Sequence, residues 1–82
     1  MIYSLITEDG IQRFDFLTDK CDPEVTLERH ALVARAPGKA KHVASWRKTG
    51  GSVLTKKHAR RVWRDLVAHG ATRHDHHGHW LG

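Results

Sequence analysis

Apolar and polar positions alternate near the start of the chain. Tyr3 to Thr7 mixes β-formers, Glu8-Asp9-Gly10 interrupts, and Ile11-Gln12-Arg13-Phe14-Asp15-Phe16 resumes the pattern. An Asp-Gly pair between two such runs predicts a β-hairpin. The period of two puts Phe14 and Phe16 on one face and Arg13 and Asp15 on the other.

Thr18 to Pro23 is polar and predicts a loop. Two readings compete beyond it. Asp22-Pro23-Glu24 has the form of a helix start, with Asp22 as N-cap and Pro23 in the first helical position. Against that, Val25 and Leu27 alternate with Thr26 and Glu28, and Leu32-Val33-Ala34 prolongs the extended pattern. This predicts a strand from about Val25 to Arg35 with a slip of face near Arg29-His30. The strand is preferred, and a helix over residues 24–36 stays open as the alternative. Pro37-Gly38 marks a turn. His42 to Arg47 reads as a further strand with Ala44 and Trp46 on one side, and Thr49-Gly50-Gly51-Ser52 is expected to break it.

A helix follows. Thr55 is placed as N-cap, where its hydroxyl accepts from an otherwise unpaired backbone N–H. Ala59, Val62, Trp63, Leu66 and Val67 recur at the spacing of one helical face, and Gly70 stands where a helix closes. The pattern predicts a helix over about 56–69. The expected fold is α+β, an antiparallel β-meander of three or four strands packed against one C-terminal α-helix. The expected core is Tyr3, Leu5, Phe14, Phe16, Leu27, Val33, Trp46, Leu54, Val62, Trp63 and Leu66. A single domain is expected over 1–72 and a histidine-rich tail over 73–82.

Length changes this picture little: 82 residues, 39% of them apolar and 28% charged, suit one small domain. No apolar run is long enough to span a bilayer. The opening residues resemble no secretory signal, so a cytoplasmic protein away from membranes is expected. Cys21 is the only cysteine, which excludes an internal disulfide and a zinc site built on several thiolates. So small a core leaves room for stabilisation by a second copy or a host assembly.

Charge changes the picture more. Residues 1–30 hold seven acids and three bases, whereas residues 31–82 hold eleven bases and two acids, for a net charge of +5. At 100° per residue, Lys56, Lys57, Arg60, Arg61 and Arg64 share an arc of about 140° on the predicted helix, opposite its apolar face. Lys56 and Lys57 also crowd the helix start, where the macrodipole is already positive. An anion would relieve both conflicts. Lys39, Lys41, Arg47 and Lys48 extend the cationic surface if the preceding strand lies beside the helix. Two outcomes follow: the basic half meets a polyanion, or the acidic half neutralises it within the fold.

The tail packs His74, Asp75, His76, His77 and His79 into six positions. Imidazoles in a flexible tail chelate Zn or Ni adventitiously, but nothing in the tail supplies the second shell of a built site. His58 and His69 border the apolar arc and are expected to pack or cap. Asp19 and Asp22 flank Cys21 and oppose thiolate formation. No nucleophile elbow or phosphate-binding loop is present, and no helix-turn-helix pair, RNA-stacking signature or zinc-finger spacing appears.

The order Val25-Thr26-Leu27-Glu28-Arg29, then Leu54-Thr55, Ala59, Trp63, Leu66 and Gly70, then Trp80, resembles a family of short proteins from marine picocyanobacteria, catalogued as a domain of unknown function. The resemblance covers most of the chain and implies a β-meander with one helix and no catalytic residues. The chain departs from the family pattern at Ala71, where an aromatic residue is expected, and in its tail.

The leading expectation is a non-enzymatic module without a cofactor. It would bind nucleic acid or another polyanion through Lys56, Lys57, Arg60, Arg61 and Arg64, with Lys41, Arg47 and Lys48. The alternative is a small regulatory or assembly protein that docks on a protein partner through a sheet edge with Trp46 and Trp80. A third class is metal binding by His74, His76, His77 and His79.

Overall fold

The computed structural model of the chain describes residues 1–35 and 44–74. The expected hairpin opens it: β1 (Ile2–Ile6) and β2 (Gln12–Thr18) run antiparallel, with Tyr3 opposite Phe16 and Leu5 opposite Phe14. The Gly10 N–H donates to the Thr7 carbonyl at 2.8 Å, and the Thr7 N–H donates to the Gln12 carbonyl at 3.0 Å. Asp9 fastens this turn by accepting from the Thr7 hydroxyl and from the Ile11 N–H. These hydrogen bonds, the hydroxyl first, hold its carboxyl below the ordinary value of 3.8.

The stretch with two readings is a strand, β3 (Glu24–Arg35). Asp22 does not cap a helix; its carboxylate accepts from the Glu24 N–H at 2.9 Å and shapes the turn that enters β3. The next strand departs from expectation. β4 (Ala44–Thr55) runs through Gly50-Gly51 without a break, pairing with β3 from Thr55 opposite Glu24 to Ala44 opposite Arg35. A Cβ on Gly50 would stand 2.9 Å from Nη2 of Arg29, so the bare backbone gives that guanidinium room across the pair. Pairing jumps from Arg29–Gly50 to His30–Lys48, which leaves Thr49 as an extra residue in a bulge. The slip of face expected near Arg29-His30 is therefore absent from β3 and lies across the ladder in β4. A second shift leaves Val33 unpaired and 59% exposed, so it is not a core residue. The Pro37-Gly38 turn, Lys39, Lys41 and His42 lie outside the described residues.

Helix α1 (Lys56–Ala68) forms as its signals predict, with the Thr55 hydroxyl accepting from the His58 N–H at 3.1 Å. His69 is the C-cap, and its Nδ1 lies 2.6 Å from the Asp65 carbonyl. Gly70 follows at φ +95°, with its N–H donating to Val67 and the Ala71 N–H donating to Leu66. This is the Schellman pattern, which satisfies carbonyls that a helix end leaves unpaired. Ala71 is buried beyond it, and the chain turns back as β5 (Thr72–His74) along the outer edge of β1. This fifth strand was not expected, and it takes Arg73 and His74 out of the predicted tail.

The sheet order is β4-β3-β2-β1-β5, antiparallel throughout, with α1 on one face. Leu5, Phe16, Val25 and Leu27 of the sheet meet Ala59 of α1 and Ala71, with Phe14, Leu54, Val62, Trp63 and Leu66 packed around them. Val25, Ala59 and Ala71 join the core beyond its expected members, Ala59 from the apolar face of the helix. Tyr3 is 38% exposed, at its margin. Leu32 and Trp46 sit opposite one another in line with His30 and Lys48, on the face away from α1. Trp46 is thus no part of the core under the helix. Among the described residues, no element covers that far face, and no helix is long and apolar enough to cross a membrane.

Candidate functional site

The helical periodicity that buries Ala59, Val62, Trp63 and Leu66 turns Lys56, Arg60 and Arg64 toward one flank of α1. Each step along that row is about 6 Å. The flank overlooks a groove of about 510 Å³ between the helix and the sheet. Its apolar lining comes from Tyr3, Phe16, Val25, Ala59 and Trp63, with Thr18 beside them. Trp63 meets Phe16 edge to face at 5.2 Å between centroids and Tyr3 at 6.3 Å, which holds the indole in place. Arg73 completes the lining. It lies opposite Leu5 in the β1–β5 register, hence on the helix side of the sheet. Among the described residues, four cations therefore line a largely apolar groove, and no acid lines it.

Lys57 and Arg61 are exposed on the next stripe of α1 and do not line the groove. Among the described residues, no carboxylate pairs with Lys56, Lys57, Arg60, Arg61, Arg64 or Arg73. Of the two outcomes left open by the charge asymmetry, neutralisation within the fold does not reach the helix among the described residues.

The ion pairs lie elsewhere, on the far face of the sheet. Asp15 accepts from the Ser4 hydroxyl at 2.8 Å and from Arg13 Nη2 at 3.1 Å, and His30 Nδ1 stands 3.7 Å away. Glu28, opposite Asp15 in register, accepts from Lys48 Nζ at 3.1 Å. The Arg13 guanidinium also lies 5.2 Å over the Trp46 ring. Asp15, Glu28 and His30 bring possible metal-ligating atoms within 4.8 Å of one another. Arg13 and Lys48 already hold the two carboxylates, however, so the charge a metal would balance is balanced. The order of groups also matters chemically. Asp15 stands between Ser4 and His30, so the serine hydroxyl donates to a carboxylate and no imidazole base activates it.

The proposed polyanion contacts thus separate. Lys56, Arg60 and Arg64 come together at the groove with Arg73, which the sequence pattern did not single out. Arg47 is exposed on β4, opposite Ala31. Lys48 is paired on the far face, and Lys41 lies outside the described residues. Of the protein-contact candidates, Trp46 is half-buried beneath Arg13, and Trp80 lies outside the described residues. Of the histidines proposed for metal, His74 sits in β5 with Nε2 3.0 Å from the Thr72 hydroxyl, and His76, His77 and His79 lie outside the described residues. Register would have revealed Arg73 and the far-face network; spacing along the chain does not.

No family model, curated protein or solved structure matches the chain.

Proposed function

We propose that the chain is a small non-enzymatic binding module that takes a polyanion, with nucleic acid the leading class, along the groove-side flank of α1. One observation carries this reading: Lys56, Arg60, Arg64 and Arg73 line a single groove where, among the described residues, no acid joins the lining and no carboxylate pairs with them. Like charges gathered this way repel one another and are locally unfavourable. A chain of phosphates reverses the sign of that interaction and releases its own counterions.

The test is an anisotropy titration of a fluorescent oligonucleotide at two salt concentrations. Binding that weakens with salt and is lost in the Arg60→Glu, Arg64→Glu double variant is the expected result. Both residues are exposed and lie outside the core, so circular dichroism should report an unchanged fold. Salt-independent binding, or none, refutes the reading.

A second reading, docking on a protein partner, has one observation in its favour. β4 spans 12 residues and, among the described residues, pairs with a strand on one side only. Such an edge can accept another strand. A pull-down that recovers one stoichiometric protein and survives nuclease treatment would favour it.

A further inference from the structure

We propose that the groove beside α1 receives an unpaired base, so that the module prefers single-stranded nucleic acid to duplex. This rests on the polyanion reading above and narrows it. A surface that only tracks phosphates needs cations and nothing else. Here the cations border a hollow whose walls include the Tyr3, Phe16 and Trp63 rings. Its volume of about 510 Å³ lies within the range of small-molecule sites, about 300–1,000 Å³.

Duplex nucleic acid cannot use such a hollow, because its bases are stacked and paired inside the helix. A single strand can turn one base onto an aromatic wall while its backbone follows the charges. The cations are arranged to suit a strand. Lys56, Arg60 and Arg64 form a row with steps of about 6 Å along α1 instead of converging on one point, as a site for a single phosphate would require. Arg73 reaches the same groove from β5. Tyr3, at 38% exposure, still offers ring surface to solvent. The Phe16 and Tyr3 contacts hold the Trp63 indole, so little side-chain freedom remains to be lost when a base lies against it.

The experiment uses the full chain carrying Trp46→Phe and Trp80→Phe, which leaves Trp63 as the only indole. Four probes of matched length, about 12 residues, are compared: an oligothymidylate, the same backbone with abasic sites, a blunt duplex and a polyglutamate peptide. The expected result is affinity for the oligothymidylate about tenfold or more above the other three. Trp63 emission should be quenched by that strand alone. Trp63→Leu, checked for folding by circular dichroism, should remove the preference and leave the salt dependence. The quenching and the abasic comparison need no core substitution, so they decide the matter even if that variant unfolds.

Equal affinity for the thymidylate and abasic strands with unquenched Trp63 overturns the base pocket while leaving the polyanion reading intact. A duplex bound as tightly as the single strand does the same. A peptide bound as tightly overturns the choice of nucleic acid. Binding of no probe, at any salt, overturns both readings.

Discussion

Neutralising Arg60 and Arg64 together, as Arg60→Gln with Arg64→Gln, tests the charge argument quantitatively. Four cations among the described residues line the groove. If each meets one phosphate of a single strand, the logarithm of affinity should fall with the logarithm of salt at a slope of about −2.8, from about 0.7 per phosphate. Removing two leaves about −1.4. Between about 50 and 200 mM salt, the native chain should lose about 50-fold in affinity and the variant only about sevenfold. Lys48→Gln is the internal control. Its ammonium is held by Glu28 at 3.1 Å on the far face of the sheet, so the slope should not change. Anisotropy titrations at four or more salt concentrations measure all three slopes. An unaltered slope in the double variant, or an equal fall for Lys48→Gln, would refute the assignment of binding to this flank of α1.

Other substitutions test the fold that holds the groove. Leu5 is 0% exposed at the centre of the core; Leu5→Ala should cost about 2–5 kcal/mol in denaturant unfolding, and a smaller loss would mean that the sheet–helix interface is loosely packed. Gly70→Ala places a side chain at φ +95° and a Cβ 2.7 Å from Glu8 Oε2. It should cost about 1–2 kcal/mol from backbone strain alone. Adding Glu8→Ala should recover only the steric part, and full recovery would show that the left-handed conformation is not the cause. Asp9 is held below the ordinary 3.8, first by the Thr7 hydroxyl. Its support of the turn should therefore persist above that value and disappear as pH falls through the lowered one. The Ile11 amide resonance should follow this titration, with the midpoint moved upward in Thr7→Val; a midpoint at or above 3.8 in the native chain contradicts the hydrogen-bond geometry.

The elements visible in the sequence are those whose signals are local. Asp9-Gly10 between alternating runs, Thr55 three residues before the N–H it caps, and Gly70 after a run of apolar helical positions all act within a few residues of themselves. Elements that depend on a distant partner were not visible. β5 is three residues long and exists because the Schellman turn aims the chain along the open edge of β1. Gly50-Gly51 has the form of a strand end, yet its lack of side chains is what makes room for Arg29 across the pair. The same distinction runs through the site. Helical periodicity gathers Lys56, Arg60 and Arg64 on one flank without reference to anything else. Tyr3 and Arg73 reach their groove only through the antiparallel register, which no spacing along the chain encodes.

Register also explains why, among the described residues, the helix keeps its charge unpaired. The chain has nine acids, so carboxylates are not scarce. Phe14 and Phe16 must face α1 to build the core, and a period of two then sends Asp15 to the other side. Leu27 opposes Phe16 and must face α1 as well, which turns Glu28 away beside Asp15. The cations that can reach these carboxylates are those on the same face, Arg13 and Lys48, and they are the ones found there. The sheet itself stands between these acids and the helix. Alternation that places the apolar residues thus sorts the charges too, without any separate device to keep the flank of α1 positive. It follows that shifting β2 or β3 by one residue would both expose the core and carry Asp15 or Glu28 to the helix side. Loss of the core and loss of the cationic groove would then be one event.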